Sequence, residues 1–341
     1  MEDKYTRFFK DKVVLVTGGT GSIGSEIVRK LIKYPVKQIR IFSRDEHKQF
    51  LLKQEFQHLP LGKVTFLIGD VRDRDRVFLA MEGADIVFNA AAMKHVALCE
   101  SNPFEAVKTN ILGVQNLVES ARAADVEKFV HISTDKAAMP VNVMGATKLV
   151  AEKITVSAEH YKGDHKTIFS AVRFGNVFGS RGSVAPIFYE QIKKGGPVTL
   201  TDNKMTRFMM RIPDAADLVL KAALLSQGGE LFILKMPVIN IENLAKAMVE
   251  KLAPRFGYKA SDIKIVTIGR INGEKVYELL LVEEELDSLY ENHEMYCLTR
   301  KKPARGFTPA TNTYCRSDKC EILDQEKLLM FIESHFQDAK Y

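Results

Sequence analysis

The chain has 341 residues, more than one hydrophobic core usually serves, so a large domain with a smaller lobe is expected. Hydrophobic residues at 46% and charged residues at 27% exclude wholesale disorder, and a net charge of +6 suits an anionic ligand without the basicity that marks a nucleic-acid binder. No stretch approaches the roughly 18 apolar residues of a membrane span, and Cys99, Cys297, Cys315 and Cys320 lack disulfide density and zinc partners, so free thiols, no metal and a reducing cytoplasm are expected.

Val13 to Val16 is a β-branched run of the kind buried on both faces of a parallel sheet. A glycine-rich turn follows, and then Ile23, Ile27, Val28, Leu31 and Ile32 recur at helical spacing. Further strands are expected over 39–42, 64–68, 85–89, 128–133 and 168–172, with helices near 45–57, 73–81, 104–123 and 144–161. Strands alternating with helices predict an α/β chain with a Rossmann-like, doubly wound parallel sheet. From Arg173 the rhythm breaks, with Pro186, Pro197, Pro213 and Pro237 punctuating shorter elements. The expected division is a Rossmann-like domain over 1–172, joined by segments near 211–235, and a smaller lobe, mainly for substrate, over 173–341.

The turn Thr17-Gly18-Gly19-Thr20-Gly21-Ser22-Ile23-Gly24 places Gly18, Gly21 and Gly24 at G-x-x-G-x-x-G spacing between a strand and a helix. Glycines let the backbone approach a pyrophosphate, and the helix start presents amides and a positive dipole end to it. Thr20, Ser22 and Ile23 are therefore cofactor candidates. The second strand ends in Ser43-Arg44-Asp45. Ser43 and Arg44 suit a 2′-phosphate and favour NADP, whereas Asp45 is the acid an NAD site would use and keeps NAD open. Asp70, with Val71, either meets the adenine amino group or caps the next helix. Ala90, Ala91 and Ala92 after the fourth strand allow close approach to a cofactor, and tight sheet–helix packing would need them equally.

These runs, with Asn110, Ser133-Thr134-Asp135-Lys136 and Lys148, resemble the extended short-chain dehydrogenases. Within them the chain is similar to the UDP-N-acetylglucosamine 4,6-dehydratases, in the subgroup with methionine at the first position of MxxxK. The distinguishing runs are Phe42 to Glu46, Ala92 to Val96, Ser133 to Ala137, Met144 to Lys148, Arg173 to Val177 and Gly179 to Val184. The likeness runs from about residue 10 to about 285 and is strongest over 13–212.

The resemblance implies transient oxidation at C4 of a UDP-sugar, loss of water across C5 and C6, and return of the hydride to C6. It makes Lys136 the C5 base and Asp135 the acid for the leaving hydroxyl, with Thr134 orienting the sugar. Without the surrounding motifs Asp135 and Lys136 read as a surface ion pair. A lysine of ordinary pKa, near 10.4, is a poor base at neutral pH, so burial or a nearby cation such as Lys148 is expected to lower that of Lys136. Lys148 would otherwise hold the nicotinamide ribose. Met144 stands where most relatives carry a tyrosine base, and a thioether exchanges no proton. Asp135, or a water held by Lys148, must then accept the C4 hydroxyl proton. Asn110 is expected to stabilise a helix bend and a site water.

On the substrate side the candidates are Lys94, His95, Asn176, Arg181, Ser183, Val184, Arg207 and Arg270. Asn176 to Val184 form a glycine-rich loop whose amides, with Arg181, suit a diphosphate. Arg270 precedes Gly273-Glu274-Lys275, a segment like the family's late phosphate-binding run, with Asn272 where proline is commoner. A UDP-sugar substrate and a homo-oligomer paired through helices 104–123 and 144–161 are expected, with no nucleic-acid or membrane partner. The rival readings are a nucleotide-sugar epimerase and a non-catalytic dinucleotide-binding protein.

Overall fold

The computed structural model describes residues 2–270, 273–311 and 316–338. Asn272 and Cys315 fall outside them. Cys99 and Cys297 are buried free thiols, and Cys320 is half-buried, its Sγ donating to the Arg316 carbonyl at 3.2 Å.

The first strands are β1 Val13–Thr17, β2 Gln38–Ser43, β3 Val64–Ile68, β4 Ile86–Asn89, β5 Lys128–Ile132 and β6 Ile168–Arg173. They run parallel in the order 3-2-1-4-5-6. In this doubly wound order the strand sequence reverses between β1 and β4, where ligand crevices open. The later chain supplies β7 Asn176–Phe178, β8 Val198–Leu200, β9 Thr206–Arg211, β10 Leu231–Leu234, β11 Val238–Asn240, β12 Ile265–Thr267, β13 Leu289–Glu291, β14 Met295–Leu298 and β15 Thr308–Pro309. β10 joins the main sheet parallel to β6, and β14, β13 and β15 continue it antiparallel, giving 10 strands among the described residues. β7, β9 and β11 form a separate small sheet, and β8 pairs with β12.

The helices are α1 Glu2–Phe9, α2 Ser22–Leu31, α3 Glu46–Glu55, α4 Arg74–Met81, α5 Val96–Ser101, α6 Pro103–Val107, α7 Gly113–Ala123, α8 Val143–Tyr161, α9 Val184–Lys193, α10 Ile212–Leu225, α11 Ile241–Leu252 and α12 Gln325–Asp338. Alternation along β1 feeds two cores. Val14 and Val16 pack with Ile27 and Leu31 of α2 and Val219 of α10. Leu15 packs on the opposite face with Val77 of α4, Leu117 of α7 and Ala151 of α8. With no polar face, such a strand reads as an unbroken apolar run. Burying each of these side chains contributes about 1.5–3 kcal/mol. A third core joins α9, α11 and α12 through Phe188, Leu244, Met248 and Leu328.

The single helix expected over 104–123 is interrupted. A π-helical turn, Lys108–Leu112, separates α6 from α7. Asn110 lies inside it and is 1% exposed. Its Oδ1 accepts the Met93 amide at 2.8 Å, and its Nδ2 donates to the Met93 carbonyl and to Thr147 Oγ1, both at 3.0 Å. The widened turn thus ties the loop after β4 to α8, a task that leaves no mark on hydrophobic periodicity.

Candidate active site

Gly18 has φ +62°, and a Cβ there would lie 2.7 Å from the backbone of Ala90 and Ala91. A Cβ on Gly24 would fall 2.4 Å from the Gly18 carbonyl oxygen. Both positions demand glycine. Gly21 is the N-cap of α2 and has no side chain with which to cap it. The helix's first amides and positive dipole end therefore remain open to an anion. Gly18, Thr20, Gly21, Ser43, Arg44, Asp70, Val71 and Ala90 to Ala92 line one cleft. Ser22 and Ile23 do not line it: Ser22 Oγ accepts the Arg181 amide at 3.2 Å, and Ile23 packs against the core. Thr109 also faces the cleft, and its buried hydroxyl has no partner among the described residues. A glycine cradle, an uncapped helix start and an unpaired hydroxyl fit a dinucleotide.

At the end of β2, Ser43 is held by Gln49, whose Nε2 donates to the Ser43 hydroxyl at 3.1 Å. Arg44 is 55% exposed, with its guanidinium 3.5 Å from Asp70. Asp45 caps α3 by accepting the Lys48 amide at 2.9 Å and also pairs with the Lys48 ammonium. Those two bonds from Lys48 hold its carboxyl below the usual carboxylate range. Asp45 is thus committed to a helix end, and Lys48 brings to the cleft, beside Arg44 and Arg181, a cation that the sequence did not single out. The capping alternative for Asp70 falls away. Asp73 caps α4 through the Arg76 amide, whereas Asp70 accepts from Arg72 Nη2 at 2.7 Å.

A 3-10 turn, Asp135–Ala137, follows β5. Asp135 is 0% exposed, and its Oδ1 accepts from Thr134 Oγ1 at 2.9 Å and from Lys136 Nζ at 3.0 Å. Its Oδ2 has no partner among the described residues. Lys136 Nζ also donates to Asn176 Oδ1 at 3.0 Å and lies 3.3 Å from Glu278 Oε1. Burial alone would push Lys136 down, but the Asp135 and Glu278 carboxylates outweigh it and its pKa is raised. The expected lowering is therefore corrected. The charges facing Lys136 are mostly anionic, and Lys148 is bonded elsewhere. Asn176 lies not in a loop but at the start of β7, paired with Met209.

Glu278 was not anticipated. It is 2% exposed, and its Oε2 has no hydrogen-bond partner among the described residues. Arg207, expected at the substrate, is instead a buried residue of β9 that donates to the carbonyls of Lys275 and Thr206, each at 2.8 Å. It holds the segment carrying Glu278. Asn142 fastens the same segment, donating to the Gly273 carbonyl at 2.9 Å while its Oδ1 caps α8 through the Gly145 amide at 2.8 Å. Lys275 Nζ donates to the Ala138 carbonyl at 3.1 Å. The late glycine segment is thus strapped across the Asp135–Ala137 turn.

Met144 is 4% exposed and packs with Cys99 and Ala106, an apolar setting with no proton to exchange. One turn further along α8, Lys148 donates to the Ile132 carbonyl and lies 3.1 Å from His131 Nε2. Burial pushes its pKa down to about 8. His131 escaped the sequence reading because it sits inside an apolar strand.

Arg181 leans over the glycine turn, its guanidinium bonded to the Thr20 carbonyl, rather than standing with Asn176. The Arg181 carbonyl accepts from Lys94 Nζ at 2.6 Å. The His95 ring packs on Gly182, where a Cβ would meet it at 2.4 Å. Burial and Lys94 lower the His95 pKa. Ser183 is the N-cap residue of α9 without a side-chain capping bond, its buried hydroxyl has no partner among the described residues, and Val184 begins that helix. Arg270 stands apart, 58% exposed and 3.7 Å from Asp202.

Residues 14–300 match the family described as polysaccharide biosynthesis proteins. The chain belongs to this family. An uncharacterized membrane protein of Methanocaldococcus jannaschii is 58% identical over 291 residues, covering 85% of this chain and 86% of that protein. A UDP-glucose 4-epimerase of Rickettsia bellii is 43% identical, covering 82% and 80%. A UDP-N-acetylglucosamine 4,6-dehydratase (inverting) of Campylobacter jejuni is 41% identical, covering 85% and 84%. The X-ray structure of Pen from Bacillus thuringiensis shares 45% identity at a TM-score of 0.89, covering 96% and 98%. DesIV of Streptomyces venezuelae, a dTDP-glucose 4,6-dehydratase solved with NAD bound, shows the same fold at 21% identity and a TM-score of 0.68, covering 77% and 86%. Relatives of this polysaccharide biosynthesis chain thus bear the names of sugar-nucleotide dehydratases and epimerases, which supports an enzyme. No helix among the described residues is long and apolar enough to cross a membrane.

Proposed function

We propose that the chain is a UDP-N-acetylhexosamine 4,6-dehydratase, with UDP-GlcNAc the first substrate to test. The observation that carries this reading is the contact of Asp135 with Lys136, walled by Glu278, after β5 at the carboxyl edge of the sheet. Epimerisation at C4 needs proton and hydride exchange at one carbon. Dehydration needs in addition a base at C5 and an acid at C6, and this pair supplies both. Lys136 is an ammonium as found. Passing one proton over 3.0 Å to Asp135 leaves a neutral amine and a protonated carboxyl, the two forms elimination requires. Lys136 then takes the C5 hydrogen, and Asp135 protonates the departing hydroxyl. A dinucleotide bound in the glycine cradle would supply the hydride acceptor for C4 and the hydride donor for C6.

Arg44 and Lys48 beside Ser43 favour NADP over NAD. Arg44→Ala is expected to weaken NADP binding about tenfold or more and leave NAD binding little changed, as read by equilibrium titration. Pairing of two copies through the helices over 104–123 and 144–161 accords with the exposed Phe104, Leu112 and Val150. The second reading, a UDP-sugar 4-epimerase, is favoured by the name of the Rickettsia relative. Incubation with UDP-GlcNAc in heavy water, followed by mass spectrometry and proton NMR, separates the two. A 4-keto-6-deoxy product with C5 deuterium supports dehydration and reports the C5 configuration; an unchanged mass with inverted C4 overturns it.

A further inference from the structure

Thr17, Asn89 and His131 stand side by side across β1, β4 and β5, each the register partner of the next. Asn89 Oδ1 accepts from Thr17 Oγ1 at 2.6 Å and from the Ala91 amide at 3.3 Å. Two donors on that atom fix the amide orientation, so Asn89 Nδ2 is a donor aimed at His131 Nδ1, 2.9 Å away. His131 Nδ1 therefore accepts and carries no hydrogen. A neutral imidazole then has its one N–H on Nε2. The imidazolium is disfavoured, because burial and the charge of Lys148 push His131 well below its ordinary pKa. The Nε2–H faces Lys148 Nζ at 3.1 Å. An ammonium has three donors and no acceptor, so this contact is a hydrogen bond only when Lys148 offers a lone pair.

We propose that His131 is a positioning residue that favours the neutral amine of Lys148, and that this amine accepts the substrate hydroxyl proton which a tyrosine at position 144 would take. The O–H bond at C4 breaks and its proton joins Nζ. The C4–H electron pair leaves as hydride to the dinucleotide, and the C4–O bond becomes a carbonyl. Lys148 is then an ammonium, repelled by the Nε2–H it faces, and it releases the proton to solvent before the next cycle. The charged groups near it are few. Glu152, one turn further along α8, would favour the ammonium, but it is already bound to Arg173 at 2.6 Å. Asn89 and Thr17 are uncharged. Burial outweighs Glu152 in setting the lowered pKa of Lys148.

The inference rests on the dehydratase reading only for the identity of the hydroxyl, since epimerisation begins with the same oxidation. The test is NMR titration of the full-length protein, its lysines labelled with carbon-13 at Cε and its histidines with nitrogen-15, without substrate. Lys148 is assigned by Lys148→Met. The expected results are a His131 hydrogen on Nε2, Lys148 titrating no higher than about 8, and a rise of that midpoint in His131→Phe. With substrate, His131→Phe should lower kcat at neutral pH about tenfold, move the acid limb of the rate to higher pH and leave KM unchanged. A wild-type Lys148 titrating near 10.4, a His131 hydrogen on Nδ1, or an unmoved midpoint in a folded His131→Phe overturns the inference. The wild-type spectra decide the matter if that variant does not fold. A low Lys148 titration that follows His131, in a protein that forms no keto sugar, upholds the inference while the dehydratase reading falls.

Discussion

Arg173 and Lys136 are each clamped between two carboxylates, one pair deep under the sheet edge and the other at the site. Arg173 gives bonds to Glu152 at 2.6 and 3.1 Å, to Glu285 at 2.8 and 2.8 Å, and to the Leu280 carbonyl at 2.7 Å. These use all five guanidinium N–H groups. Lys136 is 22% exposed at its side chain, and Asp135 Oδ2 and Glu278 Oε2 keep unused acceptor capacity. A saturated triad has nothing left to offer a ligand and fixes geometry. An unsaturated one keeps lone pairs and a mobile proton available for chemistry. The same stoichiometry of charge thus serves as a rivet in one place and as a reactive group in the other.

Asp135→Asn tests the reactive member most severely. Dehydration of UDP-GlcNAc, followed by keto-sugar NMR, is expected to fall about 10³-fold with the thermal midpoint nearly unmoved. A loss below tenfold would place Asp135 with the rivets. Arg173→Met tests the other member and strands two carboxylates in the core. Its expected cost is about 3–5 kcal/mol in urea unfolding. Glu278→Gln is the mildest change. Removing a carboxylate that raises the Lys136 pKa makes the ammonium easier to deprotonate, so the acid limb of the dehydration profile should move to lower pH. A limb that moves upward or stays in place would detach Glu278 from Lys136.

β1, β4, β5 and β6 were legible because burial on both faces writes itself as apolar runs, and the glycine turn because no other residue fits it. The strands over 289–309 were not foreseen: β13 to β15 are short and antiparallel and take their partners from the sheet edge. Asp135, Lys136 and Lys148 were found through adjacent motif residues. Glu278 and His131 were missed because what makes them chemical is contact at long sequence distance. His131 reads as one polar letter in an apolar strand until register aligns it with Asn89. Arg207 shows the reverse error, since a cation in the right stretch of sequence became a structural brace once β9 buried it.

Asn142 does two jobs with one amide, starting α8 and gripping the Gly273 carbonyl. A ribosome making this chain finishes the nucleotide cradle long before it reaches that grip. Until Glu278 has been synthesised and drawn into place, the emerging polypeptide has its cradle but only two members of the acid–base trio. The order of translation itself thus delays completion of the trio until the last quarter of the chain arrives.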